Sequence, residues 1–284
     1  MGSLKSLALA GAAVIVSIPA VQAADLPPII QRAPPAVADD CCTGWYLRGD
    51  VGFTAQQVGS LFNDQVNSGV PGITVNNVDR GFDGGTMFGL GVGYQFNSFL
   101  RADVTGEYRF SANFHGMDIS TFPTGNGQTT EPDSYSASMS SWVFLANLYA
   151  DLGTWWCVTP FIGGGVGVAY TTISNFRDLG VGSSGGTTGI VSTGFANSAS
   201  TTSLAWALYG GLSYKVAPGF TVELAYRYLD LGKAQTDDLV SFDGQQNLGP
   251  MHFRDLTSQD VKLGLRWLLQ PAQQPYYPPI VTKG

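Results

Sequence analysis

LRADVTGEYRF, residues 100–110, decides how this chain is read. Leu100, Ala102, Val104, Gly106, Tyr108 and Phe110 share one parity, and Arg101, Asp103, Thr105, Glu107 and Arg109 share the other. Side chains alternate between the two faces of a strand, so one face here is apolar and the other crowded with charge. The pattern recurs in SQDVKLGLRWLL, where Val261, Leu263, Leu265, Trp267 and Leu269 oppose Asp260, Lys262, Gly264 and Arg266. In TVELAYRY, Val222, Leu224, Tyr226 and Tyr228 oppose Glu223 and Arg227. In GWYLRGDVGF, Trp45, Leu47, Val51 and Phe53 oppose Tyr46, Arg48 and Asp50. A soluble barrel built around a ligand would put apolar residues inside and charges outside. Here the charges are better placed inward, where they pair across a narrow lumen and leave an apolar band for lipid.

Composition agrees with an all-β chain. Of 284 residues only 12% are charged, 12% are aromatic and 37 are glycine. A net charge of −7 argues against a nucleic-acid footprint. The chain opens with Lys5 and the apolar run LALAGAAVIVSIPA, followed by Val21-Gln22-Ala23, whose small −3 and −1 residues fit cleavage after Ala23. MGSLKS also matches a myristoylation pattern, but the apolar run behind it favours export. No later stretch offers about 20 continuous apolar residues, so any membrane crossing must use strands.

Strands are expected near 45–54, 84–96, 99–111, 135–151, 159–172, 201–216, 220–231 and 257–269. Asn97-Ser98, GTWWCVT and Ala217-Pro218-Gly219 make short turns between them. The other connections, 55–83, 112–134, 173–200 and 232–256, are long and rich in Gly, Ser, Thr, Asn and Asp. Alternating long and short connections predict an eight-stranded antiparallel up-and-down transmembrane β-barrel with four long external loops and both termini periplasmic. The domain reading is a signal peptide at 1–23, a proline-rich linker at 24–44, the barrel at 45–269 and a proline-rich tail at 270–284.

The lumen is expected to hold a charge network of Arg48, Asp50, Arg101, Asp103, Glu107, Arg109, Glu223, Arg227, Lys262 and Arg266. Strands seven and eight are neighbours and eight closes on one, which puts Glu223 near Arg266 and Arg266 near Asp50 or Arg48. GLGVG (89–93) and GGGVG (163–167) lack the lysine of a phosphate loop. Their alternate glycines instead leave lumen space for large neighbours such as Arg101, Glu107 and Arg109. Aromatics fall into two girdles. Trp45, Tyr46, Tyr94, Phe96, Phe99, Trp155, Trp156, Phe220 and Trp267 lie at the periplasmic end, and Phe110, Tyr135, Tyr170 and Tyr228 toward the external end. Export favours oxidised thiols, and Cys41, Cys42 and Cys157 are all expected at the periplasmic rim. A disulfide from Cys157 to Cys41 or Cys42 is therefore expected. Neither a zinc spacing nor a nucleophile–base–acid set stands out, so the chain is read as non-enzymatic, with no cofactor.

ADLP after the leader, GWYLRGDVG, FIGGGVGVAY, VELAYRYLDLG and VKLGLRW together resemble the small alphaproteobacterial outer-membrane barrels, the porin-like surface antigens of rhizobia and their relatives. The resemblance runs from residue 24 to about 269, in the order and spacing of these stretches and not in the long connections. QPAQQPYYPPIVTKG after Leu269 departs from barrels that end on a terminal aromatic strand. The resemblance implies an outer-membrane surface protein in contact with lipid and lipopolysaccharide. It also implies two site candidates. Some such barrels bind haem, which points to His115 and His252 in the external connections. Some are joined to peptidoglycan through a mature Ala-Asp start, which points to Ala24. Extended proline-rich chain covers about 3.1 Å per residue, so the segment from Ala24 to Gly44 reaches roughly 60 Å. The leading expectation is a structural surface barrel that tethers the envelope. The alternatives are a narrow diffusion pore for small solutes and a loop-based binder of haem or host molecules.

Overall fold

The computed structural model describes residues 43–63, 72–125, 127–184, 187–244 and 247–269. The leader, the linker up to Cys42 and the 270–284 tail lie outside the described residues. Ten strands follow in order: β1 (Gly44–Asn63), β2 (Thr74–Phe82), β3 (Gly85–Gln95), β4 (Leu100–Thr124), β5 (Gly127–Asp151), β6 (Val158–Ser184), β7 (Thr187–Ala196), β8 (Ala199–Ala217), β9 (Phe220–Ser241) and β10 (Asn247–Leu268).

Registers reduce ten strands to eight staves. β2 and β3 pair with β4 in one continuous register: Phe82 lies opposite Phe114 and Met87 opposite Arg109, five residues on and five back. β7 and β8 do the same on β6, with Ala196 opposite Phe176 and Ala199 opposite Ile173. Each pair is one stave broken by two residues, Asp83-Gly84 and Asn197-Ser198. The staves then pair antiparallel in turn, β1 with β3, β3 with β4, β4 with β5, β5 with β6, β6 with β8, β8 with β9 and β9 with β10. β10 returns to β1 from Tyr46↔Leu268 to Asn63↔Met251, which closes an eight-stave barrel.

One end is bounded by tight connections. Asn97 Oδ1 accepts from the Phe99 and Leu100 amides at 3.0 and 2.7 Å, and Gly219 turns the chain at φ 80. Between β5 and β6, Trp155 and Val158 exchange backbone hydrogen bonds, and Trp156 and Cys157 between them both take positive φ, 50 and 68. At the other end the long connections of the sequence are themselves mostly strand. β1 continues to Asn63, β4 to Thr124, β6 to Ser184 and β9 to Ser241.

A ring of irregularities separates the two parts. On β4 the buried residues run Arg101, Asp103, Thr105, Glu107, Arg109 and resume at Ala112 and Phe114, because Phe110 and Ser111 both face outward. The same change of phase occurs at Ser174-Asn175 on β6, Gly232-Lys233 on β9, Arg254-Asp255 on β10 and Gly59-Ser60 on β1. Asn175, Gly232 and Asp255 take φ 54, 74 and 54 there. The breaks at Asp83-Gly84 and Asn197-Ser198 lie on the remaining staves except β5, whose phase runs through unchanged. Each such bulge turns the following side chains to the opposite face.

Below the ring the outward face is apolar: Val104, Phe144, Val166, Leu208, Leu224 and Leu263 are exposed to the surroundings of the barrel. Above it many apolar residues turn inward and outward positions carry Asn113, Ser136, Arg177 and Gln235, although Leu179, Val181, Val191, Phe195 and Val240 stay exposed. The expected girdles lose two members to the interior. Tyr46 shares the parity of Arg48 and Asp50 and is fully buried in the lumen. Tyr135 stands above the ring on the inward parity of Ala137 and Met139. The others stay on the surface, where Trp45, Tyr94 and Phe96 form a chain of ring contacts and Phe220 stacks on Trp267 at 5.6 Å.

Candidate functional site

The lumen below the ring is filled by six cations and six anions: Arg48, Arg101, Arg109, Arg227, Lys262 and Arg266 against Asp50, Asp103, Glu107, Asp151, Glu223 and Asp260. All are buried. Near the tight-turn end, Arg48 donates to Asp50 and Asp103, both at 2.8 Å. Glu223 there is shared by Arg101 and Arg266, each at 3.1 Å. Arg101 also donates to Asp151 at 3.2 Å, and its guanidinium lies over the Tyr149 ring at 4.3 Å. Nearer the ring, Arg227 makes a two-pronged pair with Glu107 at 2.7 and 2.6 Å and donates to Asp260 at 2.6 Å. Arg109 donates to Asp260 and Ser258. Lys262 joins the two levels, 3.6 Å from Asp50 and 3.5 Å from Glu107.

β4 and β9 stand on opposite sides of the ring of eight staves. The pairs Glu107–Arg227 and Arg101–Glu223 therefore span the lumen. Glycine makes the space: a Cβ on Gly91 would come within 2.8 Å of Thr105 Cγ2 and 3.0 Å of Arg48 Cγ. Neutral groups take up remaining polar atoms, with Asn147 donating to Asp103 at 2.7 Å and Tyr46 donating to the same carboxylate at 3.0 Å. Chemically the arrangement is a network of paired charges, in which a few buried atoms, Arg101 Nη2 and Arg109 Nε among them, have no hydrogen-bond partner among the described residues. Each buried charge faces an opposite one, which is what offsets its lost hydration.

Above the ring the lumen is closed a second time by apolar side chains. Phe114 meets Phe253 edge-on at 5.0 Å and Phe253 meets Phe176 at 6.3 Å, in one buried cluster with Leu61 and Met139 and with Leu231 and Leu256 just below the ring. Beyond that plug sits an acidic group. Asp118 and Asp133 are cross-strand partners, as are Tyr135 and Asp178, and the Tyr135 hydroxyl donates to Asp118 at 3.0 Å. Burial pushes the Asp133 carboxyl up to about 7, helped by Asp118 and Glu131. Burial also pushes Asp178 up to about 7, helped by Asp133 and Asp118, and raises Asp118.

The ten charges read from the sequence all lie in the lumen. Arg266 lies beside Arg48 in the backbone register, but its charged partner is Glu223 and its other side-chain acceptor is Gln95, at 2.9 Å; Asp50 is taken by Arg48 and Lys262. Asp151 and Asp260 were missing from that set. Both sit on the inward parity of their strands, in line with Tyr149 and Lys262, which was the available signal. His115 is exposed on β4, while His252 lies on β10 against Phe62, with β1 and β2 between them; the two histidines do not converge. Cys157 is an exposed free thiol. Cys41 and Cys42, its expected partners, and Ala24 lie outside the described residues.

A family model described as an outer membrane protein beta-barrel domain matches residues 10–265. A protein of Brucella suis biovar 1 called uncharacterized is 32% identical over 234 residues, covering 76% of this chain and 77% of its own length. A Rickettsia prowazekii protein named as a candidate adhesin is 26% identical over 227 residues, covering 78% of this chain and 86% of its own. Among solved structures, the outer membrane protein OprG from Pseudomonas aeruginosa aligns over 80% of this chain and 97% of its own, with 14% identity and a TM-score of 0.44.

Replacing Glu107 by Ala leaves Arg227 with Asp260 alone, an anion it shares with Arg109, and should destabilise the barrel by roughly 3 kcal/mol. Removing Arg227 as well should recover part of that loss. Urea unfolding of the refolded single and double variants checks both.

The acidic group makes stability depend on pH. Below about pH 4 its carboxyls are protonated whether the chain is folded or not. Between about 4 and 7 the unfolded chain gives up protons that the folded one keeps, so stability falls as pH rises through that window and levels off above it. Asp133→Asn should flatten this slope, read as the urea midpoint from pH 4 to pH 8.

Proposed function

The chain belongs to the outer membrane protein beta-barrel family, and on that premise we propose that it is a non-enzymatic surface barrel with a sealed lumen. It holds a raised rim outside the cell and both termini in the periplasm. The observation that carries this reading is the pair of salt bridges that cross from β4 to β9, Glu107–Arg227 and Arg101–Glu223. A diffusion pore needs a continuous wet path. Here each charged group of the lumen is paired with an opposite one, and the Phe114–Phe253–Phe176 plug lies above them. The same engagement argues against lumen catalysis, since no carboxylate in the network stands apart from a cation.

Orientation follows from the two ends of the barrel. The tight turns match the periplasmic end of such barrels and the extended staves the external end. The rim is then the part offered to other molecules, and the adhesin name of the Rickettsia relative supports a contact role for it. At the other end Ala24-Asp25 opens the proline-rich segment that leads into Gly44. Joined to peptidoglycan at the Ala24 amine, that segment makes the barrel a fixed point between membrane and wall.

In planar bilayers the refolded protein should show no stepwise conductance. Regular open-channel steps from the wild-type chain would replace this reading with the narrow pore. Lysozyme-digested cell wall should yield the protein with a muropeptide on the α-amino group of Ala24. A free Ala24 amine on all of the cellular protein would remove the tether.

A further inference from the structure

The rim contains one backbone edge that the barrel leaves open. β7 pairs with β6 along its whole length, from Thr187↔Ser184 to Ala196↔Phe176. On its other side it meets β9 only at Gly194–Ala196, opposite Ser241–Leu239, with one more hydrogen bond from the Phe242 amide to the Thr193 carbonyl. From Thr187 to Ser192 that edge has no strand partner among the described residues. β9 turns back at Ser241, so the β6–β7 hairpin stands above its neighbour.

Open edges are templates for further strands, and proteins commonly blunt them with charge or proline. The stretch TTGIVS at 187–192 has neither. One of its outward positions is a large apolar residue. Val191 lies opposite Val181 and is 61% exposed, and Phe242 beside the edge is 83% exposed. Phe195 and Val240 continue the ridge as register partners. The ground next to it is acidic. Asp237 and Asp238 near the end of β9 are exposed carboxylates, and among the described residues their side-chain partners are the neutral Asn197 and Asn247. The nearest cation in register, Arg177, is on the β6 side of Phe195, away from the open edge.

We infer that the open edge of β7 takes up an extended segment of another protein as an added strand. Backbone hydrogen bonds supply the attachment, and alternate apolar side chains of the segment lie on the Val181–Val191–Phe195 ridge. Lysine or arginine at one end of the segment meets Asp237 and Asp238. A second copy of this chain fits less well, because it would bring its own Asp237 and Asp238 to the same edge. The partner's coming from outside the cell rests on the orientation proposed above, whereas strand addition does not.

The test uses the full chain refolded in detergent, with its barrel verified by heat-dependent mobility. The probe is a labelled heptapeptide, Lys-Val-Thr-Val-Thr-Val-Thr, followed by fluorescence anisotropy. Saturable binding is expected. Methylating the three valine nitrogens keeps the side chains and charge but removes backbone donors, and should weaken binding by about tenfold or more. Val191→Lys should do the same. Exchanging the peptide's lysine for glutamate should also weaken it, and Gln57→Lys, on β1, should leave it unchanged. Equal binding of the methylated peptide, or unaltered binding by Val191→Lys, would overturn the inference. So would crosslinked dimers joined through residues 187–192 that the peptide does not disperse. Labelling a Ser192→Cys variant on intact cells with an impermeant maleimide tests the outside placement separately. If that failed while the purified protein still bound the peptide, only the side would be wrong.

Discussion

An eight-stave lumen is only wide enough to be filled by side chains. Charges placed in it cannot stay hydrated, and each must find its opposite within the same narrow space. The balance of six against six follows from that constraint, and so does much else. Glycines at alternate positions of β3 and β6 exist where a Cβ would collide with Thr105, Arg48 or Leu148. Tyrosines 46, 149 and 209 bring hydroxyls to leftover polar atoms while their rings line guanidinium groups. Filling of the lumen is thus a by-product of solvation: the buried charges are paired across it.

The level of bulges does a different job. Along β4 the apolar residues keep one parity from Leu100 through Phe110 to Phe114, yet Phe110 faces outward and Phe114 inward. Trp267 and Phe253 on β10 stand in the same relation, as do Phe53 and Leu61 on β1. One hydrophobic phase therefore serves lipid below and a water-excluded core above, and the change of solvent is handled by backbone geometry instead of by composition. Burial is reversed without the sequence changing its rhythm.

This explains how far the sequence could be read. The lipid-facing half was legible because its alternation is strong and its turns are short: LRADVTGEYRF and VKLGLRW each carry a lumen face and a lipid face in plain view. The upper strands read as loops. Their outward positions mix Ser, Asn and Gln with Val and Phe, their inward positions mix Phe with Gly, Asp and Ser, and two exposed residues in succession interrupt the period on most staves. Asp151 was overlooked because it is the last inward position before a turn, where strand and loop look alike. Tyr46 was placed with the interfacial aromatics by residue type, although its parity with Arg48 pointed inward. Which cation would choose which anion was not legible, since β4 and β9 meet only across the closed barrel.

Confining the change of phase to one level has a consequence for how such a molecule can vary. Below it, every position is coupled to lipid on one side and to a charge partner on the other, so a single inserted residue would misalign a whole stave. Above it, a hairpin can gain or lose residues in pairs and keep the same side chains inside, because nothing further up depends on where the strand ends. The collar can be lengthened, shortened or resurfaced while the buried electrolyte beneath it is left alone. Divergence between relatives is then expected to pile up in the collar, with the membrane-embedded cylinder as the slow-changing part of the same chain.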